Sequence, residues 1–282
     1  MYPLFSRYIH PTTDFGFKRL FGQEDSKEIL RGFLNAILTL PRPIVELSYI
    51  PSEQLPGSAD ERSGIYDVYC MDSEGQRCIV EMQRARQAFL KERSLYYVTF
   101  PIVQQMRRGT NEYPFRLLPI YSIAVLNFRL DDDPRHMRHV NLRDAATGAL
   151  FYDKLTFVYI ELPKFTATLD DDLSLADKWV YMLRNMPALV DIPAELADEP
   201  FPEAFQLAEE AALSPDERIV YEGSLKRTMD EQSIYQTGRR EGREEARLET
   251  QLEIAQAMLA RGIDRATVAQ VTGLSEEVLS QL

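Results

Sequence analysis

Asp67, Glu81 and Gln83 are the residues of this chain whose types and spacing could do chemistry. They fall in Ser63-Gly-Ile-Tyr-Asp-Val-Tyr-Cys-Met71 and Arg77-Cys-Ile-Val-Glu-Met-Gln83, two runs rich in Ile, Val and Tyr joined through Asp72-Ser-Glu-Gly75. Apolar runs linked by a short glycine-bearing segment predict an antiparallel hairpin. Side chains alternate across a strand, so Ile65, Asp67 and Tyr69 are assigned to one face and Tyr66, Val68 and Cys70 to the other. On the second strand Ile79, Glu81 and Gln83 line up in the same way. Each strand sets an acid among apolar neighbours, where an uncompensated charge is costly. A divalent cation between Asp67 and Glu81 would meet that cost. Mg2+ favours a few carboxylate oxygens together with waters and substrate phosphate, and it activates water and stabilises a developing oxyanion. Spacing alone is weak evidence and favours two ordinary acids on solvated strand faces.

The surrounding stretches carry more information. Asp67 followed after a hairpin by Glu81-Met-Gln83 resembles the core of the PD-(D/E)XK nuclease superfamily, in the branch of Rpn recombination-promoting nucleases or PD-(D/E)XK family transposases. Four further stretches match that branch in order: Pro11-Thr-Thr-Asp-Phe-Gly-Phe-Lys-Arg-Leu-Phe-Gly22, Ile29-Leu-Arg-Gly-Phe-Leu-Asn-Ala-Ile37, Phe89-Leu-Lys-Glu-Arg-Ser-Leu-Tyr-Tyr97, and 104–113 with Gly109 inside it. The resemblance implies a metal-dependent endonuclease that hydrolyses DNA backbone phosphodiesters, linked to recombination or mobile DNA, with Mg2+ or Mn2+ as cofactor. It implies Asp67 and Glu81 as metal ligands, joined by the backbone carbonyl of Met82. Gln83 stands where many relatives have lysine; its neutral amide can orient a water but supplies neither a cation nor a ready base. Asp14 and Lys18 match the branch motif as an extra acid and a phosphate contact, or else serve as a helix-capping charge and a surface cation. Glu28 is a lesser accessory candidate. Arg93 and Tyr97 match Arg-x-x-x-Tyr and would contact the scissile phosphate or buttress the acids. The alternative is a catalytically silent nucleic-acid-binding or regulatory protein on a nuclease scaffold, and RNA is the alternative substrate.

At 282 residues the chain is long enough for one large domain with an appendage. No apolar run approaches the roughly 18 residues of a membrane span, and Met1-Tyr-Pro-Leu-Phe-Ser-Arg7 lacks a signal peptide's apolar block, so a cytoplasmic protein is expected. Cys70 and Cys78 read as small buried apolar residues, and the scattered His10, His136 and His139 suggest no zinc site. The net charge of -12 is divided unevenly: residues 1–130 hold 16 Lys and Arg against 14 Asp and Glu, and residues 131–282 hold 16 against 30. Arg84, Arg86, Lys91, Arg93, Arg107 and Arg108 follow directly after the acid pair, as a phosphate groove or a solvated helix face would require.

Helices are predicted from Asp14, capped by Thr12 or Thr13, and from Asp25 or Ser26 to about Leu38. A strand at 44–50 precedes the 51–61 loop and the hairpin. A helix over 87–108, interrupted at Pro101, and a strand at 118–128 complete an α/β, restriction-endonuclease-like core: a mixed central sheet flanked by helices, with a helical C-terminal extension. The acid run Asp131-Asp-Asp133 reads as a solvated loop, 156–162 as a strand, and the segment after Leu173 as a helix burying Trp179. Three parts are delimited: a nuclease-like domain over 1–190, a helical connector over 191–236, and a charged helix with a small helical module over 237–282. Gly238-Arg-Arg-Glu-Gly-Arg-Glu-Glu-Ala-Arg-Leu-Glu249 mixes charges three and four apart, which fits a solvated helix or a partner-binding coil better than DNA binding. The last stretch, 266–278, has a helix-turn-helix rhythm, but Glu276 and Glu277 argue against major-groove reading. It is read as an assembly or accessory module, with DNA docking as the lesser alternative, and a homo-oligomer through this region is expected.

Overall fold

The computed structural model describes residues 6–51, 53, 54, 64–107 and 116–282. Ser63, Arg108, Gly109, Tyr113 and nearly all of the 51–61 loop lie outside them. Contacts divide the chain into two compact units, 1–228 and 229–282. The segment 191–228, read from sequence as part of a connector, instead adds Leu196, Phe201, Ala204 and Phe205 to the core of the first unit.

The first unit is built on a six-stranded mixed sheet of β1 (Leu47–Tyr49), β4 (Val68–Asp72), β5 (Arg77–Gln83), β6 (Ile120–Leu126), β7 (Met137–Arg143) and β8 (Leu150–Glu161). Their order across the sheet is β1-β4-β5-β6-β8-β7. The short β2 (Glu53–Gln54) and β3 (Gly64–Ile65) pair separately. The β4 and β5 strands form the predicted hairpin, with Cys70 opposite Cys78 and Val68 opposite Val80. At its turn the Asp72 carboxylate accepts the N–H groups of Glu74 (3.0 Å) and Gln76 (2.8 Å), and Gly75 takes φ +83, a left-handed geometry that favours glycine. All seven residues of β5 are buried, because antiparallel β4 and parallel β6 flank it and helices cover the sheet.

On one face lie α1 (Asp14–Phe21), α2 (Lys27–Ile37), α4 (Leu175–Asn185) and α5 (Phe201–Leu207), with Trp179 fully buried against Phe33 and Phe201. The other face is covered by α3 (Leu90–Arg107), through Leu90 and Val98. Strict alternation would set Tyr66 beside Val68 and Cys70. Instead Tyr66 packs with Tyr69, ring centroids 5.1 Å apart, on the α3 face, while Val68 and Cys70 join the opposite core. The strand is interrupted at Tyr66 and Asp67, between β3 and β4, and the break reverses the parity of side chains before it.

Thr13 fixes the start of α1: its hydroxyl accepts the Gly16 N–H (3.0 Å) and donates to the His10 carbonyl (2.7 Å). Thr13→Ala is expected to cost about 1 kcal/mol and to lower the melting midpoint by roughly 2–4 °C in a thermal scan. At the far end of the sheet, fully buried Glu161 is compensated by Arg138 (2.9 Å), Lys164 (2.7 Å) and the Leu130 N–H (2.7 Å).

A continuous helix, α6 (Pro215–Ala260), spans the division between the units. Within the second unit Leu252, Ala255 and Leu259 of α6 pack against Val268 of α7 (Arg265–Thr272) and Leu279 of α8 (Glu276–Ser280). Gly273, at φ +71, turns the chain between α7 and α8. Among the described residues no helix is long and apolar enough to cross a membrane.

Candidate active site

The hairpin brings Asp67 and Glu81 together. The Asp67 N–H donates to Glu81 Oε1 (3.2 Å), and Asp67 Oδ2 accepts the Met82 N–H (2.7 Å). Asp67 is partly buried and Glu81 is 8% exposed. The Gln83 amide donates to Glu81 Oε2 (3.0 Å), so the glutamine orients the carboxyl beside it. The Gln83 carbonyl accepts from Asn127 on the β6 side (2.9 Å). Strand alternation therefore turns the Met82 carbonyl to the other edge, with its N–H, toward Asp67.

The electrostatics follow from this crowding. Burial pushes the Glu81 carboxyl up to about 8, with the neighbouring Asp67 adding and Arg93 opposing. Burial likewise raises Asp67; the Met82 N–H bond opposes the shift, Asp14 adds to it, and Lys18 and Arg84 reduce it. Two acids that resist ionisation side by side, beside an edge-facing carbonyl, form a hard-oxygen donor set short of positive charge. No group of three or more His, Cys, Asp or Glu gathers among the described residues.

Arg93 reaches this centre from α3, its guanidinium 3.6 Å from Glu81 Oε2 and 5.3 Å from the Tyr97 ring centroid. It also donates to Gln87. The Tyr97 carbonyl accepts the Tyr66 hydroxyl (2.9 Å). Arg93 and Tyr97, with Ser94 and Ser122, line a cavity of about 10 Å3 behind Glu81 and Gln83, barely the space of one water. Asp14 and Lys18 pair across one turn of α1 at 3.0 Å, near enough to act on Asp67 through space. Glu28 is not gathered here; it pairs with Arg31 on the exposed side of α2. Sequence reasoning missed Ser94 and Ser122. The lone hydroxyl of Ser122 within the apolar run Ile120-Tyr-Ser-Ile-Ala-Val-Leu126 is the signal that could have marked it.

The mixed sheet with its parallel β5–β6–β8 core and covering helices is consistent with a restriction-endonuclease-like α/β fold. Residues 248–282 match the Rpn/YhgA-like nuclease family's C-terminal HTH domain, which coincides with α7, the Gly273 turn, α8 and the end of α6. No curated protein and no solved structure matches the chain. Residues 11–238 match the PD-(D/E)XK nuclease family transposase description, from the Thr13 cap through the hairpin into α6, and the chain belongs to that family.

Proposed function

We propose that the protein is a metal-dependent DNA endonuclease, with Asp67 and Glu81 at its catalytic centre. The observation that carries this reading is the meeting on one hairpin of the partly buried Asp67 and the buried Glu81, bonded through the Asp67 N–H and the Met82 N–H, with Arg93 3.6 Å from Glu81. Asp67, Glu81 and the Met82 carbonyl would hold Mg2+ or Mn2+, which when bound polarises a phosphate oxygen and acidifies water.

The chain's own groups do the rest. Gln83 holds the Glu81 carboxyl in orientation through its amide donor. Arg93, whose contact with Glu81 is long, would turn a guanidinium N–H onto a phosphate oxygen as negative charge builds there. Lys18, with Asp14, adds a cation at the α1 side of the centre. The reaction is hydrolysis: a water oxygen bonds to phosphorus, one P–O ester bond breaks, and the strand ends in a phosphate monoester and a hydroxyl. The C-terminal helix-turn-helix supports a DNA partner, and self-association through that region belongs to the same reading.

Calorimetric titration with Mn2+ tests the proposal against a silent scaffold. Near pH 7 the wild type is expected to take up the ion with release of protons, since Glu81 must ionise to ligate. Asp67→Asn is expected to lose that uptake. Equal uptake by both proteins, or none by the wild type, would move the assignment to the non-catalytic alternative.

A further inference from the structure

The charged tract of α6 is more ordered than its sequence suggests. Because a helix advances about 100° per residue, Arg239, Arg243, Arg247 and Arg240 fall within about 100° of arc, with Gln236 among them. Glu241, Glu245 and Glu249 fall on the far side, roughly 200–280° from Arg239. The signs that alternate along the chain are therefore segregated around the helix. All four arginines are exposed, and among the described residues none of them forms an ion pair. With Gln236 and Glu244 they share one open face of the helix.

The second unit carries six arginines, no lysine and ten acids, so it is acidic overall, yet four of its six arginines share this one face. The same helix packs against α7 and α8 a few residues later through Leu252, Ala255 and Leu259, and Gln251 donates to the Thr272 carbonyl (2.7 Å). Meanwhile α8, the second helix of the helix-turn-helix, has Glu276 and Glu277 and no basic residue. A module of this kind needs cations to neutralise phosphates, and its own second helix offers none. From Arg239 to Arg247 the face runs about 12 Å along the axis, comparable with the roughly 12 Å width of the DNA major groove.

We propose that Arg239, Arg240, Arg243 and Arg247 form a docking face for the phosphate backbone of duplex DNA, supplying electrostatic contact that the second helix of the adjoining helix-turn-helix lacks. The inference rests on the reading of the protein as one that acts on DNA, but not on catalysis at Asp67 and Glu81. Its absence of apolar side chains distinguishes this face from a membrane-binding one. An acidic protein surface, including the glutamate side of a second copy, is the competing occupant.

The test is fluorescence anisotropy with a labelled 30-base-pair duplex, in EDTA, using the full chain. Converting all four arginines to glutamine is expected to weaken binding at least tenfold near 100 mM salt. The slope of log K against log salt should fall by about 3.6, at roughly 0.9 for each of the four phosphates that are no longer neutralised. The fourfold Arg→Lys variant is expected to keep most of the slope, and Glu241→Gln with Glu245→Gln to keep all of it. Unchanged affinity and slope in the glutamine variant would overturn the inference, as would wild-type protein that does not bind the duplex. A change of mass by light scattering in the glutamine variant, with DNA binding intact, would assign the face to self-association and overturn it too. Mn2+ uptake at the hairpin, measured on the same variant, separates failure here from failure of the nuclease reading. The uptake is expected to match wild type.

Discussion

Asp67→Ala is expected to reduce plasmid nicking by on the order of 1,000-fold, the scale for removing a group that acts directly on developing charge, while leaving the fold in place. Asp67 sits beside Glu81 with both carboxyls raised by burial, and in the metal-free protein the Asp67 charge makes Glu81 harder still to ionise. Removing one relieves that repulsion. The alanine also loses the bond from the Met82 N–H, an acceptor role worth about 1 kcal/mol, so the two effects nearly cancel in its melting curve. Asp67→Asn keeps an acceptor oxygen for Met82 and drops the charge, so in EDTA it should melt a few degrees above wild type. A large loss of stability in Asp67→Asn, or cleavage at the wild-type rate in either variant, would contradict the assignment.

The second large effect is in the pH dependence of stability without metal. Glu81 has a folded pKa of about 8 against an ordinary value of 4.5. Between those values the folded state holds more protons than the unfolded state, so stability falls as pH rises through the window and levels off above about 8. Asp67, also raised, acts in the same direction at lower pH. Each unit of displacement is worth about 1.4 kcal/mol at most, and water entry on ionisation reduces it. Glu81→Gln, which removes the titration, is expected to match wild type near pH 5 and to exceed it by about 1–3 kcal/mol near pH 8.5. Urea denaturation across that range in EDTA checks this; wild-type stability that climbs from pH 5 to 8.5 would be the opposite result. Saturating Mg2+ should reverse the slope, because ligation requires the deprotonated acids.

Much of this architecture was legible because it rests on local signals. Thr13 and Asp14 announce α1; the apolar spacing of Ile29, Leu30, Phe33, Leu34 and Ile37 sets α2, all five being buried. The hairpin follows from two β-rich runs around Gly75, and it carries Asp67 to Glu81 as the sequence spacing anticipated. What was not legible depended on tertiary context. The break at Tyr66 and Asp67 overrides alternation because Tyr66 finds its hydroxyl partner at the Tyr97 carbonyl, 31 residues away. β7 was missed because Met137-Arg-His-Val-Asn-Leu-Arg143 lacks a continuous apolar run; it is an edge strand, paired only with β8 and largely exposed at its tip. The segregation of charge on α6 hides in a chain where acid and base alternate, and it appears only once Gly238 and Gly242 prove to lie inside a continuous helix. Ser94 and Ser122 line one small cavity with Glu81 because β6 runs parallel to β5 and α3 covers that face, a juxtaposition no local pattern encodes.

The measurement that bears most directly on the central claim is nicking of supercoiled plasmid at low salt by the full-length protein, in Mg2+ and in EDTA, beside Asp67→Asn purified in the same way. Nicking by the wild type in Mg2+, abolished by EDTA and by Asp67→Asn, is the predicted result. Nicking that persists in EDTA or in Asp67→Asn, or a wild type that binds DNA and leaves it intact in Mg2+, would contradict the claim that Asp67 and Glu81 form a metal-dependent nuclease centre.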